Sequence, residues 1–164
     1  MKKILFSFAV MFLIQNATAK DVKCLATAKD VKCLATAIFH EANAESVKGQ
    51  IAVANVIMNR VESKDFPNSV CGVISQKSQF SWYGKTKHKY SDETVAVAEK
   101  VLTKRVNDVT NGALFFHSGK NPHWTKKMKF VTKIGGHKFY RPTAEQQKIN
   151  INKHNPQITS EITC

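Results

Sequence analysis

The chain has 164 residues, with 25 Lys+Arg against 12 Asp+Glu and a formal charge of +13. Its length fits one domain, and a hydrophobic content of 43% excludes a disordered polyelectrolyte, which could not bury enough apolar area to fold. The charge calls for a polyanion without saying which: nucleic acid, anionic lipid and wall polymer all qualify.

The N-terminus narrows the choice. Lys2 and Lys3 form a basic n-region, Ile4 to Ile14 an apolar stretch broken only by Ser7, and Ala17-Thr-Ala19 a small-x-small cleavage pattern. The stretch is shorter than the about 20 residues a membrane span needs. A secretory signal peptide over 1–19 is therefore expected, leaving 145 residues from Lys20 and, with Lys2 and Lys3 removed, a charge of +11. Export to the periplasm, the cell wall or the medium argues against nucleic acid as a partner and against stable membrane insertion once the signal is removed.

Ala19-Lys-Asp-Val-Lys-Cys-Leu-Ala-Thr27 then recurs unchanged as Ala28 to Thr36. Nine residues are about 2.5 helical turns, so the two copies cannot present the same face from one helix. The second copy, contiguous with Ile38-Phe-His-Glu41, is expected to belong to the fold, and the first to be a tandem duplication. The organisation expected is a duplicated extension over 20–32, one domain over 33–142 and a polar tail over 143–164. Four cysteines in an exported chain suggest disulfides, with three possible pairings. If Cys24 is a product of duplication, Cys33–Cys71 is the structural bridge. No zinc-type spacing occurs, so neither metal nor other cofactor is expected.

In chain order, a first helix is predicted from about Lys32 to Ala44. A second carries an apolar stripe at Val47, Ile51, Ala54, Met58 and Val61 behind an N-cap at Ser46. Phe66-Pro-Asn68 reads as a loop, and Ser75 to Tyr90 has no usable period. Ser91 caps a third helix with Asp92 and Glu93 in its first turn and Lys104 and Arg105 in its last, matching the helix dipole. Ala113 to His117 reads as a short strand, and Phe130–Ile134 and His137–Tyr140 flank Gly135-Gly136 as a hairpin. Helices followed by a small sheet give the α+β class.

His40-Glu-Ala-Asn-Ala-Glu45 is the strongest chemical cluster. It lacks the second histidine of a zinc protease. Glu41 and Glu45, four apart, share a helix face if the helix persists, and like-charge repulsion would then raise the proton affinity of one of them. Solvated surface carboxylates are the plain alternative, and His40, facing elsewhere, is expected to be a packing or hydrogen-bonding residue. A thiol nucleophile at Cys33 with His117 or His137 as base is possible in principle, but secretion favours a disulfide. Aromatic residues around the loops, Trp82 and Tyr140 above all, suit sugar stacking, although most phenylalanines are expected to fill the core.

Several blocks resemble the SleB-type cell wall hydrolase family, known from spore cortex-lytic enzymes. They are Cys33 to Glu45, Gly49 to Val61, Phe66-Pro-Asn-Ser-Val-Cys-Gly-Val73, Gln79-Phe-Ser-Trp82, Thr110-Asn-Gly-Ala113 and Ile134-Gly-Gly-His-Lys-Phe-Tyr140, in the expected order. The resemblance implies a lysozyme-like or lytic-transglycosylase-like fold, mainly helical with a small antiparallel hairpin sheet, acting on peptidoglycan glycan strands. It implies the essential glutamate at Glu41, with Glu45 the other candidate. Candidate substrate-binding residues are Gln79, Phe80, Ser81, Trp82, Asn111, His117, His137 and Tyr140. The chain departs from the pattern at Asn43-Ala44, where Arg-Gly is frequent, and at Tyr83-Gly84, where many relatives carry a cysteine.

With a single carboxylate in the matching blocks besides Glu45, a lytic transglycosylase cleaving the MurNAc–GlcNAc β-1,4 bond is the leading expectation. A hydrolytic muramidase follows, then a non-catalytic basic wall-binding protein and, more weakly, a membrane-active cationic protein. A monomer is expected, with the lysines of 85–89 and 126–133 near the groove rim.

Overall fold

The computed structural model describes residues 26–147 apart from 78 and 88; the expected signal peptide, Cys24 and Cys164 lie outside the described residues. Four α-helices come first: α1 (Ala28–Ala42), α2 (Val47–Glu62), α3 (Val70–Ser75) and α4 (Asp92–Leu102). Strands β1 (Phe115–Ser118), β2 (Met128–Ile134) and β3 (His137–Pro142) follow, with a 3-10 turn at His123–Lys127 between the first two. The strands form an antiparallel sheet in the order β1-β3-β2. The architecture is α+β, as the order of sequence patterns implied.

Helix α1 starts at Ala28, four residues before the expected Lys32, because Thr27 and Asp30 close a capping box: the Thr27 Oγ1 accepts from Asp30 N–H, and Asp30 accepts from Thr27 N–H. The whole second copy of the repeat is thus helical, and α1 runs unbroken through the expected boundary at 32/33. It ends at Ala42 rather than Ala44. Cys33 on α1 is disulfide-bonded to Cys71 on α3, the pairing singled out from the sequence.

Helix α2 is central, and its burial differs from the predicted single stripe. Val47 is 46% exposed and Ile51, Met58 and Val61 are half-buried, whereas Ala52, Val53, Ala54, Val56 and Ile57 are fully buried. The reason is that α2 is covered on two sides. Ala54 and Ile57 join Leu34 and Ile38 of α1, Val73 of α3 and Val97 of α4 in the main core, and Ala52 and Val56 meet Ala113, Ile134 and Phe139 in a second core under the sheet. A helix buried on two sides loses the one-face period of an amphipathic surface helix.

Polar residues of α2 then fix the segment leading into the sheet. Asn55 Oδ1 accepts from Val109 N–H, Asn59 donates to the Ala113 carbonyl and to Asp108, and Arg60 Nε donates to the Leu114 carbonyl at 2.7 Å. The predicted strand at 113–117 accordingly begins two residues later, at Phe115. Helix α4 carries the predicted cap at Ser91, but it ends at Leu102, so its last-turn cation is Lys100 and not Lys104 or Arg105.

Candidate active site

Glu41 sits in the last turn of α1. Its Oε1 accepts a 2.7 Å hydrogen bond from the indole N–H of Trp82, in the loop between α3 and α4. That loop is held by Phe80, which is buried in the main core, and by turn hydrogen bonds from Tyr83 N–H to the Phe80 carbonyl and from Lys85 N–H to the Trp82 carbonyl. His40, next to the acid, lies flat on Trp82 with ring centroids 4.4 Å apart. It packs, as the sequence suggested, and it packs on the ring that fixes the acid's oxygen.

A cleft of about 560 Å³ opens over Glu41. Arg60 of α2 shares it; Gln79 and Phe80 line it from the loop; the residues of β1 from Phe115 to Ser118, with Trp124, Met128 and His137, line it from the sheet. The sheet's aromatic residues brace one another. Trp124 contacts Phe115, His117 and Tyr140, and His117 stacks on Tyr140 with its Nε2 3.2 Å from the phenolic oxygen. Among the described residues, Glu41 is the one carboxylate that lines this space.

Arg60 is 5% exposed. Its guanidinium lies within cation–π range of Phe66, Phe80 and Phe115, at 5.2, 5.8 and 5.7 Å from the ring centroids. Burial lowers its pKa to about 10, partly countered by the Glu41 charge, so it stays cationic at neutral pH.

Glu45 does not pair with Glu41 on a helix face. The helix stops at Ala42, and the following turn carries Glu45 to the β2–β3 hairpin. There its Oε1 accepts from Gly136 N–H at 3.0 Å and lies 3.4 Å from His137 Nδ1. Gly135 has φ of 56°, and a Cβ at that position would overlap Glu45 Oε2, so glycine is required by backbone and by space. Glu45 thus ties the end of α1 to the hairpin that presents His137 to the cleft.

The remaining candidates divide. Gln79, Phe80, His117 and His137 line the cleft with Glu41. Trp82 and Tyr140 stand behind lining residues, Trp82 bonded to the acid and Tyr140 to His117. Ser81 is exposed outside the lining, and Asn111 is an exposed turn residue with φ of 50°. Next to Asn111, Asp108 accepts from Thr110 N–H, the Thr110 hydroxyl and Gly112 N–H, each at 2.7 Å. Burial works against its charge, but the Thr110, Gly112 and Asn59 hydrogen bonds outweigh it and hold the carboxyl below its usual value. Lys126 and Lys127 lie in the chain between Trp124 and Met128, which line the cleft. Arg60 was not singled out from the sequence; the available signal was a cation three residues after Ile57, close to the buried run Ala52–Ile57.

The arrangement defines an α+β domain with one cleft-facing acid, held by an indole and roofed by an aromatic hairpin sheet. The cell wall hydrolase family profile matches residues 44–140. Residues of the chain are 34% identical over 110 residues to the spore cortex-lytic enzyme of Bacillus cereus, covering 63% of this chain and 40% of that protein. They are 32% identical over 108 residues to the Halalkalibacterium halodurans spore cortex-lytic enzyme, covering 63% of this chain and 32% of the relative. The chain therefore spans well under half the length of these relatives. The crystal structure of the catalytic domain of the Bacillus cereus SleB protein superposes with a TM-score of 0.64 at 29% identity, over 71% of this chain and 93% of that domain. The catalytic domain of the germination-specific lytic transglycosylase SleB from Bacillus anthracis gives 0.63 at 29% identity, over 71% of this chain and 97% of that domain. The chain belongs to the cell wall hydrolase family.

Proposed function

We propose that this protein is an exported enzyme that cleaves peptidoglycan glycan strands at the MurNAc–GlcNAc β-1,4 bond as a lytic transglycosylase, with Glu41 as its single catalytic carboxylate. The observation that carries this reading is the cleft, in which Glu41 is the one lining carboxylate among the described residues. Glycoside hydrolysis ordinarily takes two carboxylates, one on each side of the bond. A transglycosylase needs one. Glu41 gives its proton to the glycosidic oxygen as the C1–O bond breaks, releasing the 4-hydroxyl of the GlcNAc. The resulting carboxylate removes the proton of the muramyl C6 hydroxyl as that oxygen bonds to C1. A 1,6-anhydro ring forms, the acid is regenerated and no water is consumed.

The rest of the site supports this cycle. Trp82 holds one carboxylate oxygen and leaves the other free for the proton. Gln79 and His137 offer hydrogen bonds to sugar substituents, and Phe115 and Trp124 offer faces for pyranose rings. Glu45, engaged by Gly136 and His137, acts as a positioning residue. The positive charge retains the enzyme on an anionic wall, an attraction that weakens as salt rises.

Mass spectrometry of digested peptidoglycan tests the assignment. Anhydro-muramyl ends are the expected product. Reducing muramyl ends would instead make the protein a muramidase, and binding without soluble fragments would make it a wall-binding protein.

A further inference from the structure

Arg60 is a buried cation with most of its hydrogen-bonding capacity unused. A guanidinium carries five N–H donors. Its Nε–H goes to the Leu114 carbonyl, and the two Nη groups have no hydrogen-bond partner among the described residues. Nor does Arg60 form a salt bridge among the described residues. Glu41 acts on it through space only. Neither Nη is among the buried unpartnered atoms, so the stem and Nε are enclosed by the three rings and the Leu114 carbonyl while the Nη donors face the cleft, where a ligand oxygen can take the place of water.

We infer that Arg60 is a specificity-determining residue that receives a substrate carboxylate on the muramyl side of the scissile bond. This inference rests on the glycan-cleaving reading above. The two sugars of the strand differ in a lactyl ether on the muramyl ring, and that substituent carries a carboxyl group, free or extended by a stem peptide with carboxylates of its own. A planar fork of unpaired donors matches a carboxylate in two-point fashion, which neither a hydroxyl nor a lysine reproduces. The position serves catalysis as well. When Glu41 carries its proton, Arg60 loses the one negative charge acting on it, and a substrate carboxylate restores a counter-charge at that step. The aromatic rings around Arg60 hold the guanidinium plane fixed, so little ordering is needed on binding.

The test uses fragments that lack the scissile bond, so turnover does not interfere. Binding of the GlcNAc-MurNAc disaccharide to the native chain is measured by NMR titration against its lactyl carboxamide, chitobiose and the same disaccharide bearing a stem peptide. The free acid should bind about ten-fold or more tightly than chitobiose, the scale of one charge-assisted pair, and the Arg60 Nε–H resonance should shift with it. If the carboxamide binds as weakly as chitobiose, the lactyl carboxylate is the group received; if only the stem-peptide form binds tightly, the carboxylate comes from the peptide. Arg60→Met should abolish the preference, and Arg60→Lys should restore part of it. Equal affinities throughout in the native chain, or a preference that survives in a folded Arg60→Met protein, would overturn the inference. Should Arg60→Met not fold, the native-chain ranking and the Arg60 resonance still decide. Retained cleavage by a Glu41→Gln protein would sink the catalytic reading while leaving this affinity ranking intact, so the two failures are distinguishable.

Discussion

The indole N–H of Trp82 and Oε1 of Glu41 are joined across 2.7 Å, tying the α3–α4 loop to the last turn of α1. His40 stacks on the other side of the relationship, on the indole face. Trp82→Phe keeps an aromatic surface for His40 and removes the donor. A hydrogen bond to a charged group contributes about 1.5–3 kcal/mol, so kcat should fall about 10- to 100-fold with a smaller change in KM. Steady-state kinetics on soluble glycan strands checks this; an unchanged kcat would remove Trp82 from the positioning of the acid.

The contact between Glu45 and the hairpin predicts a steric requirement at Gly135. Gly135→Ala places a methyl group where the carboxylate lies and on a backbone with φ of 56°. A cost of about 1–3 kcal/mol is expected, visible as a lower thermal midpoint. Glu45→Gln should be milder, since the amide oxygen can still accept from Gly136.

Asp108 predicts an acid-sensitive loop. Its carboxyl titrates lower in the folded chain than in the unfolded one. The stability it contributes is therefore complete above the unfolded value of about 3.9 and is lost as pH falls through the lower folded value. Asp108→Asn should lower stability at neutral pH and flatten its decline below about pH 4. Denaturant melts across pH read this directly.

The Cys33–Cys71 bridge closes a loop with a sequence separation of 38. In the chain-entropy account such a loop is worth about 4 kcal/mol. Replacing both cysteines by serine should lower unfolding free energy by about 2–4 kcal/mol, measured by urea denaturation under oxidising conditions.

Much of this molecule was readable in its residues, and the parts that were not share a cause. Ser46 and Ser91 announce α2 and α4 through local capping chemistry, and Gly135-Gly136 announces the hairpin. Helix α3 is six residues long; Ser69 caps it locally by accepting from Gly72 N–H, but so short a helix is held by the disulfide and by Val70, Val73 and Ile74 entering the core, which are not local. The β2 strand hides a register shift between Phe130 and Thr132, so Phe130 lies 53% exposed against Tyr140 while Ile134 is buried, although simple alternation puts them on one face. In the site, Glu41 and the Gln79–Trp82 block stood out as motifs. Arg60 did not, because its meaning depends on the rings of Phe66, Phe80 and Phe115, which only the fold brings together.

The central claim is that one carboxylate performs both proton transfers. Glu41→Gln, isosteric and able to keep the Trp82 hydrogen bond, is the sharpest probe, with release of soluble muropeptides from purified sacculi as the readout and a thermal melt to verify folding. The account predicts a folded protein whose release falls by at least about 1,000-fold. Release within about ten-fold of the native rate would contradict it.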